Sequence, residues 1–325
     1  MPRVFIMVLH YGNIQETKEC LKSLEGLDYP NFKIIVVNND PTINLVKQLH
    51  NARLNIRLNQ CKFLLGSQRQ DKNTKSGQQI IIINNKKNLG FAGGMNVGIR
   101  ETLKKKADYI LLLNNDTIII KPGFLKKLVE VGECNERVGI LGPVIYKYNK
   151  ENKVNKEKIH FSGGKINWLY IKGKHLIFNN KQRIVNSDYV TGACMLIKSG
   201  VIEKIGLMDE DYFLYFEDVD WCIKAQKAGY KCVVVPAAKI WHKISSNTEA
   251  ESFSYIYYHI RNGLLFAKKN APFFIKIFAY FWSFLFFGEQ LIKLIILPAK
   301  KKWAKAIMLG IKDFYRKKLG RLEID

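Results

Sequence analysis

Three carboxylates, Glu217, Asp218 and Asp220, fall within four successive positions of LYFEDVDW, residues 214–221, among aromatic and aliphatic neighbours. Like charges this close raise one another's pKa, and desolvation adds to the effect. Two readings stand at this point: a solvated acidic turn, or a site where a cation, or a proton to be removed, makes the repulsion useful. A second stretch, LLLNNDT at 111–117, is an apolar run that stops at Asn114, Asn115 and Asp116. A carboxylate there suits Mg²⁺ or Mn²⁺ holding phosphate oxygens, although Asn and Asp also end strands as plain turns. Asn38, Asn39 and Asp40 close another apolar run, where amides could read a base or a ribose and turn chemistry serves nearly as well. The glycines of NLGFAGGMNVGIR, 88–100, let backbone approach an anion at a helix N-terminus, or form only a tight turn. This stretch is neither GxGxxG nor a P-loop, since no Gly-Lys-Ser/Thr occurs. His242, in IWH, is a metal ligand or a packed imidazole.

These groups need a frame. Short apolar runs at 4–9, 33–37, 80–83 and 109–113 are rich in β-branched residues and close on polar clusters, which predicts strands of a parallel sheet. Helical spacing separates them at 14–24 and 98–105, with a weaker case at 44–54. Such βαβ alternation predicts an α/β layer fold with ligands at the carboxyl ends of the strands. The polar stretches 59–79 and 147–158 read as surface loop insertions. Farther on, VDWCIKAQKAG reads as a helix ended by Gly229, followed by a strand at 231–235.

Across 325 residues, 52 Lys and Arg against 28 Asp and Glu leave a net charge of +24, which calls for an anionic partner: nucleic acid, a phospholipid surface or a phosphorylated substrate. No RNP-like, helix-turn-helix or zinc pattern supports nucleic acid. Six cysteines show neither CxxC pairs nor metal spacing, so they read as reduced and mostly buried, favouring a cytosolic face. The first apolar run is too short for a signal peptide and reads as a buried strand. Composition shifts after about residue 245. The stretch 273–297 is apolar but carries Lys276, Glu289 and Lys293, leaving a charge-free centre of 12 residues at 277–288. Basic clusters flank it on both sides, at Lys268 and Lys269 and at Lys300, Lys301 and Lys302. A single crossing would strand one cluster outside, so a segment lying in the membrane interface fits better. The following stretch places Trp303, Ile307, Ile311, Phe314 and Leu319 near one helical face. A helix packed on the rest of the chain is the competing reading.

In order along the chain, VLHYGN, VVNND, NLGFAGGMNVGI, LLLNNDT, VTGACMLI, FLYFEDVDWCIKAQKAGY, IWH and YYHIRN resemble family 2 glycosyltransferases of the rhamnosyltransferase-like kind, over roughly residues 4–262. The resemblance implies a GT-A fold, a Rossmann-like α/β mixed sheet, as a catalytic domain over 1–245, with the donor half at about 1–120 and the acceptor half at 121–245. A helical, membrane-associating extension follows over 246–325. It implies a dTDP-, UDP- or GDP-sugar donor bound by His10, Tyr11, Asn38, Asn39, Asn88, Gly90, Gly94, Asn96, Asn114 and Asn115. Asp116 then ends the metal-binding D-x-D element, His242 completes coordination of Mg²⁺ or Mn²⁺, and Asp218 is the catalytic base. Glu217, Asp220 and Trp221 shape the pocket of a glycan or lipid-linked acceptor. Asn38 and Asn114 stand where the family usually has Asp, leaving most of the metal binding to Asp116 and His242. The expected chemistry is inverting transfer at the cytoplasmic face of a membrane, with no nucleic acid partner. The competing functions are a nucleotidyltransferase on a similar frame and a non-enzymatic basic protein that binds membrane or nucleic acid.

Overall fold

The computed structural model describes residues 1–50, 56–59, 78–148, 158–178, 184–243 and 252–323. Residues 51–54 of the weaker helical pattern, 60–77 of the first polar insertion with Cys61, and 149–157 of the second lie outside the described residues.

Continuous apolar runs form the central strands because both of their faces are covered by helices. Strand β1 (Val4–His10) is buried at every position. Helix α1 (Ile14–Leu24) follows, capped by Asn13, whose Oδ1 accepts the Gln15 N–H at 2.9 Å. Then come β2 (Phe32–Asn38), α2 (Leu45–His50), β3 (Ile56–Asn59) and β4 (Gln78–Asn84). Helix α3 (Gly90–Lys104) begins eight residues earlier than its apolar spacing predicts, since its first two turns are mostly glycine and Ala and offer little periodicity. Strand β5 (Tyr109–Asn114), the short β6 (Thr117–Ile119) and α4 (Phe124–Cys134) complete the first half.

The second half contains β7 (Val138–Lys147), β8 (Ile159–Phe161), a separate two-stranded ribbon of β9 (Gly164–Asn167) and β10 (Lys172–His175), then β11 (Val185–Ser187), β12 (Cys194–Lys198) and α5 (Ser199–Ile205). A single 3-10 turn, Glu210–Tyr212, precedes α6 (Glu217–Lys227) and β13 (Lys231–His242). Three helices end the chain: α7 (Phe253–Asn270), α8 (Phe273–Ile296) and α9 (Lys301–Tyr315).

The main sheet runs β11-β13-β7-β12-β5-β1-β2-β4-β3. Its β5-β1-β2-β4-β3 side is parallel, whereas β12 is antiparallel to both β5 and β7, so the sheet is mixed. In register, His10 lies opposite Asn38, and Leu9 opposite Asn114, which levels the carboxyl ends of three strands along one rim. Strand β13 does not stop at residue 235. A register shift against β7 between Val235 and Lys239 absorbs Pro236, and the strand resumes to pair with β6, with His242 opposite Thr117. Of the five described cysteines, Cys20, Cys194, Cys222 and Cys232 are buried and Cys134 is exposed, all as free thiols.

The terminal helices dock on the second half of the sheet domain. Gly310 of α9 lets the helices meet closely, since a Cβ there would lie 2.9 Å from the Tyr257 carbonyl oxygen of α7. Trp168 stacks on Phe266 with ring centroids 5.5 Å apart. The apolar face of α9 is thus largely packed: Ile311 and Phe314 are buried, and Trp303 is 41% exposed. Helix α8 differs. Only Ala279, Ser283 and Gln290 of its 24 residues are buried, and it is the one helix among the described residues long and apolar enough to cross a membrane.

Candidate active site

Asp218 stands in the first turn of α6, half-buried, on the wall of a cleft of about 690 Å³. Its Oδ2 accepts the Gly192 N–H and its Oδ1 the Val219 N–H, each at 2.8 Å. Burial raises its pKa above the usual carboxylate range, against those hydrogen bonds and the nearby His175, which pull it back. Glu217 also lines the cleft. Burial and the charge of Asp218 push its carboxyl well up, and its Oε2 has no partner. One turn onward the chain has left the cleft. Asp220 is fully buried and receives Tyr212 Oη (3.2 Å), Asn270 Nδ2 (2.6 Å) and Lys224 Nζ (2.8 Å). Trp221 is equally buried and donates from Nε1 to the Gly206 carbonyl at 2.9 Å. These two residues anchor α6 rather than line the pocket. The three acidic positions therefore divide: two at the cleft and one inside the protein.

The residues before α6 are held in an unusual backbone. Phe213, Tyr215 and Phe216 have φ of 62°, 68° and 75°, and such left-handed positions cost a non-glycine residue about 1–3 kcal/mol each. The restraint comes from α7. The two N–H groups of buried Asn262 Nδ2 are shared among the carbonyls of Tyr212, Leu214 and Tyr215, at 2.8, 2.7 and 3.0 Å. Next to it, buried Arg261 donates to the carbonyls of Asp211, Tyr212 and Gly320. The YYHIRN stretch is thereby a clamp on the loop that aims Glu217 and Asp218.

On the donor side, most of the amides expected at a ligand bond the protein instead. Asn38 Nδ2 donates to the Ile43 carbonyl and to Asn84 Oδ1. Asn39 donates to Asn88 Oδ1 and the Gly90 carbonyl and accepts from Asn85 Nδ2 and the Leu89 N–H. Asn96 joins α3 to the Met208 backbone through one donated and one accepted bond, and to Glu210. The glycines serve packing. A Cβ at Gly90, where φ is +74°, would sit 2.3 Å from the Phe213 carbonyl oxygen, and one at Gly94 would sit 2.7 Å from Leu9. His10 is buried at the end of β1. Its Nδ1 lies 2.7 Å from Thr17 Oγ1, which accepts from Asn115 Nδ2, and its Nε2 meets no partner. Burial lowers its pKa, which favours the neutral ring. Tyr11 is exposed beyond it, and the half-buried side-chain amide of Asn114 makes no hydrogen bond within the described residues.

Asp116 and His242 do meet. The β6–β13 register brings His242 Nε2 to 3.1 Å from Asp116 Oδ2, and to the same distance from Oδ1, which is buried with no aligned donor. No group of three or more His, Cys, Asp or Glu side chains with metal-binding geometry occurs among the described residues. Two protein ligands and an unsatisfied carboxylate oxygen nevertheless fit an ion whose remaining positions go to substrate phosphates and water, as is usual for Mg²⁺. Asp218 and His242 both act on the charge of His175, and one short segment joins Asp218 to the start of the Asp116 turn. Gly192 N–H bonds Asp218, while the carbonyl of the next residue, Ala193, accepts the Asn114 N–H at 3.0 Å.

Two further imidazoles, from segments with no helical or strand period to flag them, complete the rim. His160 of β8 lies with its ring 4.9 Å from that of His175 on β10 and 6.4 Å from that of His242. Burial, with His175, His242 and Lys147 adding to it, pushes His160 from 6.5 down to about 4. Sequence spacing carries no trace of this grouping, because the ribbon and β13 are brought together only by the fold.

A mixed sheet with levelled strand ends, an Asp/His pair at the β6–β13 pairing and a raised carboxyl bonded to the segment that pairs with Asn114 fits a GT-A-type glycosyltransferase architecture. The glycosyl transferase family 2 profile matches residues 5–206 and a glycosyl transferase family group 2 profile matches 109–309, and the chain belongs to glycosyl transferase family 2. Over 204 residues it is 28% identical to the dTDP-rhamnosyl transferase RfbF of Shigella flexneri, covering 57% of this chain and 62% of that protein. It is 25% identical over 175 residues to the N-acetylglucosaminyl-diphospho-decaprenol L-rhamnosyltransferase of Mycobacterium tuberculosis, covering 49% and 54%. The chain thus spans less than two thirds of these relatives' own length. In fold it is similar to the mannosyltransferase PcManGT of Pyrobaculum calidifontis, solved with GDP-Man and Mn²⁺, at a TM-score of 0.56 and 12% identity over 98% of this chain and 88% of that one.

Proposed function

We propose that this protein transfers a sugar from a nucleotide-diphosphate donor to a hydroxyl of a lipid-linked glycan acceptor at the cytoplasmic face of a membrane, inverting the anomeric centre. The observation that carries the reading is the placement of Asp218, with its raised pKa, one peptide away from the segment that ends in Asp116. The acceptor oxygen attacks the anomeric carbon, the bond from that carbon to the diphosphate oxygen breaks, and the hydroxyl proton passes to a carboxylate oxygen of Asp218. A raised pKa suits this role, since it brings the base's proton affinity nearer that of the task. Glu217, favoured in its protonated form, can donate a hydrogen bond to the acceptor without adding charge.

Asp116 and His242 would hold a divalent cation, Mg²⁺ or Mn²⁺. When bound, such an ion supplies Lewis-acid stabilisation of negative charge on the leaving diphosphate. Around them, Asn114 and Tyr11 present the groups left free to meet a donor, while Asn38, Asn39, Asn88, Asn96, Gly90 and Gly94 hold the strand ends and α3 in place behind it. The relatives' donor and acceptor, dTDP-rhamnose-type and diphospho-decaprenol-linked by their names, support the same classes here. The net charge of +24 and the exposed apolar face of α8 support action at an anionic membrane surface.

The test is a panel of dTDP-, UDP- and GDP-sugars assayed for nucleoside diphosphate release with Mg²⁺ or Mn²⁺, with product configuration read by NMR. Asp218→Asn is expected to lower transfer at least about 100-fold while leaving donor binding in place. Wild-type turnover in the variant would remove Asp218 from the role.

A further inference from the structure

The cleft does not end at Asp218. It continues from Glu217 and Asp218 past β10 and along α7, and opens between α8 and α9. Along this path the chemistry changes in one direction. At one end stand the carboxylates and His175. Lys172 lies three residues earlier on β10, about 10 Å along the strand. No carboxylate among the described residues pairs with its ammonium within 4.0 Å, and no other lysine or arginine lines the cleft. On the side of the terminal helices the walls are mostly apolar, with Gly263 and Leu264 of α7, Phe278 and Trp282 of α8, and Ile307 and Ile311 of α9, interrupted by Tyr255, His259 and Ser283.

Helix α8 is two-sided in a way that fits this path. Positions 278, 279, 282, 283 and 286 recur at helical spacing and face the groove. Other large residues, Phe274 at 80%, Phe281 at 60% and Ile295 at 82% exposure, are open to the surroundings. A molecule with an apolar chain could pass from the exposed face of α8 into the groove without its chain crossing water. A lone lysine between an apolar groove and a general base matches an amphiphile whose charged group lies between its chain and its reacting sugar.

We propose that the groove between α7, α8 and α9 is the subsite for the lipid-phosphate portion of the acceptor, with Lys172 on the phosphate and the chain against Gly263, Phe278, Trp282 and Ile311. This rests on the transfer reading above and assigns the part of the substrate that does not react. Binding there requires no sugar donor, so it can be tested apart from catalysis. Gly263 is the place to block it, because a Cβ at that position first meets Phe216 Cζ at 3.7 Å, an ordinary contact, and the helix can take a side chain.

The experiment uses the full chain and farnesyl diphosphate bearing a terminal diazirine, with the adducts located residue by residue by mass spectrometry. Labelling is expected at Phe278, Trp282, Ile307 and Ile311, suppressed by excess geranylgeranyl diphosphate and not by inorganic diphosphate or geranylgeraniol. Gly263→Leu and Lys172→Ala should each cut that labelling at least about tenfold, with melting temperatures showing that both remain folded. Labels confined to Phe274, Phe281 and Ile295 would mean partition into the membrane-facing surface alone and would overturn the proposal. So would groove labelling that neither variant changes. Groove labelling in a chain that releases no nucleoside diphosphate from any donor would keep the subsite and refute the transfer reading, so the two failures are separable.

Discussion

At the scale of single residues, the site works through the unequal environments of adjacent acids. Asp218 keeps two backbone donors, whereas the buried Oε2 of Glu217 has none, so the two carboxyls differ in how strongly each holds its proton. Linkage gives this a sign. A buried carboxyl whose folded pKa lies above its unfolded value binds protons more tightly in the native state, so its contribution to stability falls as pH rises through that interval. Glu217→Gln removes the ionisable group with little change of shape. Its melting temperature is expected to exceed wild type at pH 8, with the gap closing toward pH 4; a gap that widens on acidification would contradict a raised Glu217. Asp220 makes the complementary point, since an acid three residues from Glu217 bonds Tyr212 and Asn270, pairs with Lys224 and does not line the cleft.

At the scale of elements, the loop before α6 is set by side chains from a helix about 50 residues away in sequence. Asn262→Ala removes two N–H donors shared among three largely buried carbonyls, at roughly 1 kcal/mol each, so a loss of about 2 kcal/mol is expected in chemical denaturation. Because Phe213, Tyr215 and Phe216 can then relax from positive φ, transfer should fall further than donor affinity; an equal fall in both would mean that the clamp acts only on stability. Helix α3 offers a second comparison. A Cβ at Gly98 would meet the flexible end of Met7 at 2.4 Å, which can move, while one at Gly90 would strike the Phe213 backbone at 2.3 Å and sit at positive φ. Gly90→Ala is therefore expected to cost more than about 2 kcal/mol and Gly98→Ala about 1 kcal/mol, measured by denaturant midpoint.

At the scale of the whole molecule, the terminal helices divide their tasks. Helix α9 buries its apolar side on α7, with Asp313 accepting the Tyr257 hydroxyl at 2.9 Å, and so serves the fold. Helix α8 leaves most of its apolar surface open, in a chain whose last 65 residues carry 14 basic and 4 acidic groups. Such a surface, rimmed by lysines, marks an interaction face rather than a random exposure. Phe274→Glu with Phe281→Glu is expected to lower co-sedimentation with anionic vesicles at least about tenfold, without lowering the melting temperature, because neither ring is buried. Unchanged sedimentation would place membrane attachment elsewhere.

Local sequence carried the alternation of buried strands and helices, the strand ends at Asn38 and Asn114, the end of α6 before Gly229 and the apolar α8, since each of these is a local pattern of side-chain period and terminating residues. Its ordered motifs also marked Asp116, His242 and Asp218. Only the tertiary structure decided which of the marked groups face a ligand. Side-chain period says that Asp220, Trp221, Asn39 and Asn96 are polar or bulky at particular places, and not that Tyr212, Gly206, Leu89 and Met208 wait to bond them. The pairing of His242 with Asp116, the grouping of His160 with His175, and the path from Asp218 to α8 all depend on strand register and on helix docking across more than 100 residues in some cases. Those contacts arise from burial shared between distant segments, which no local spacing records.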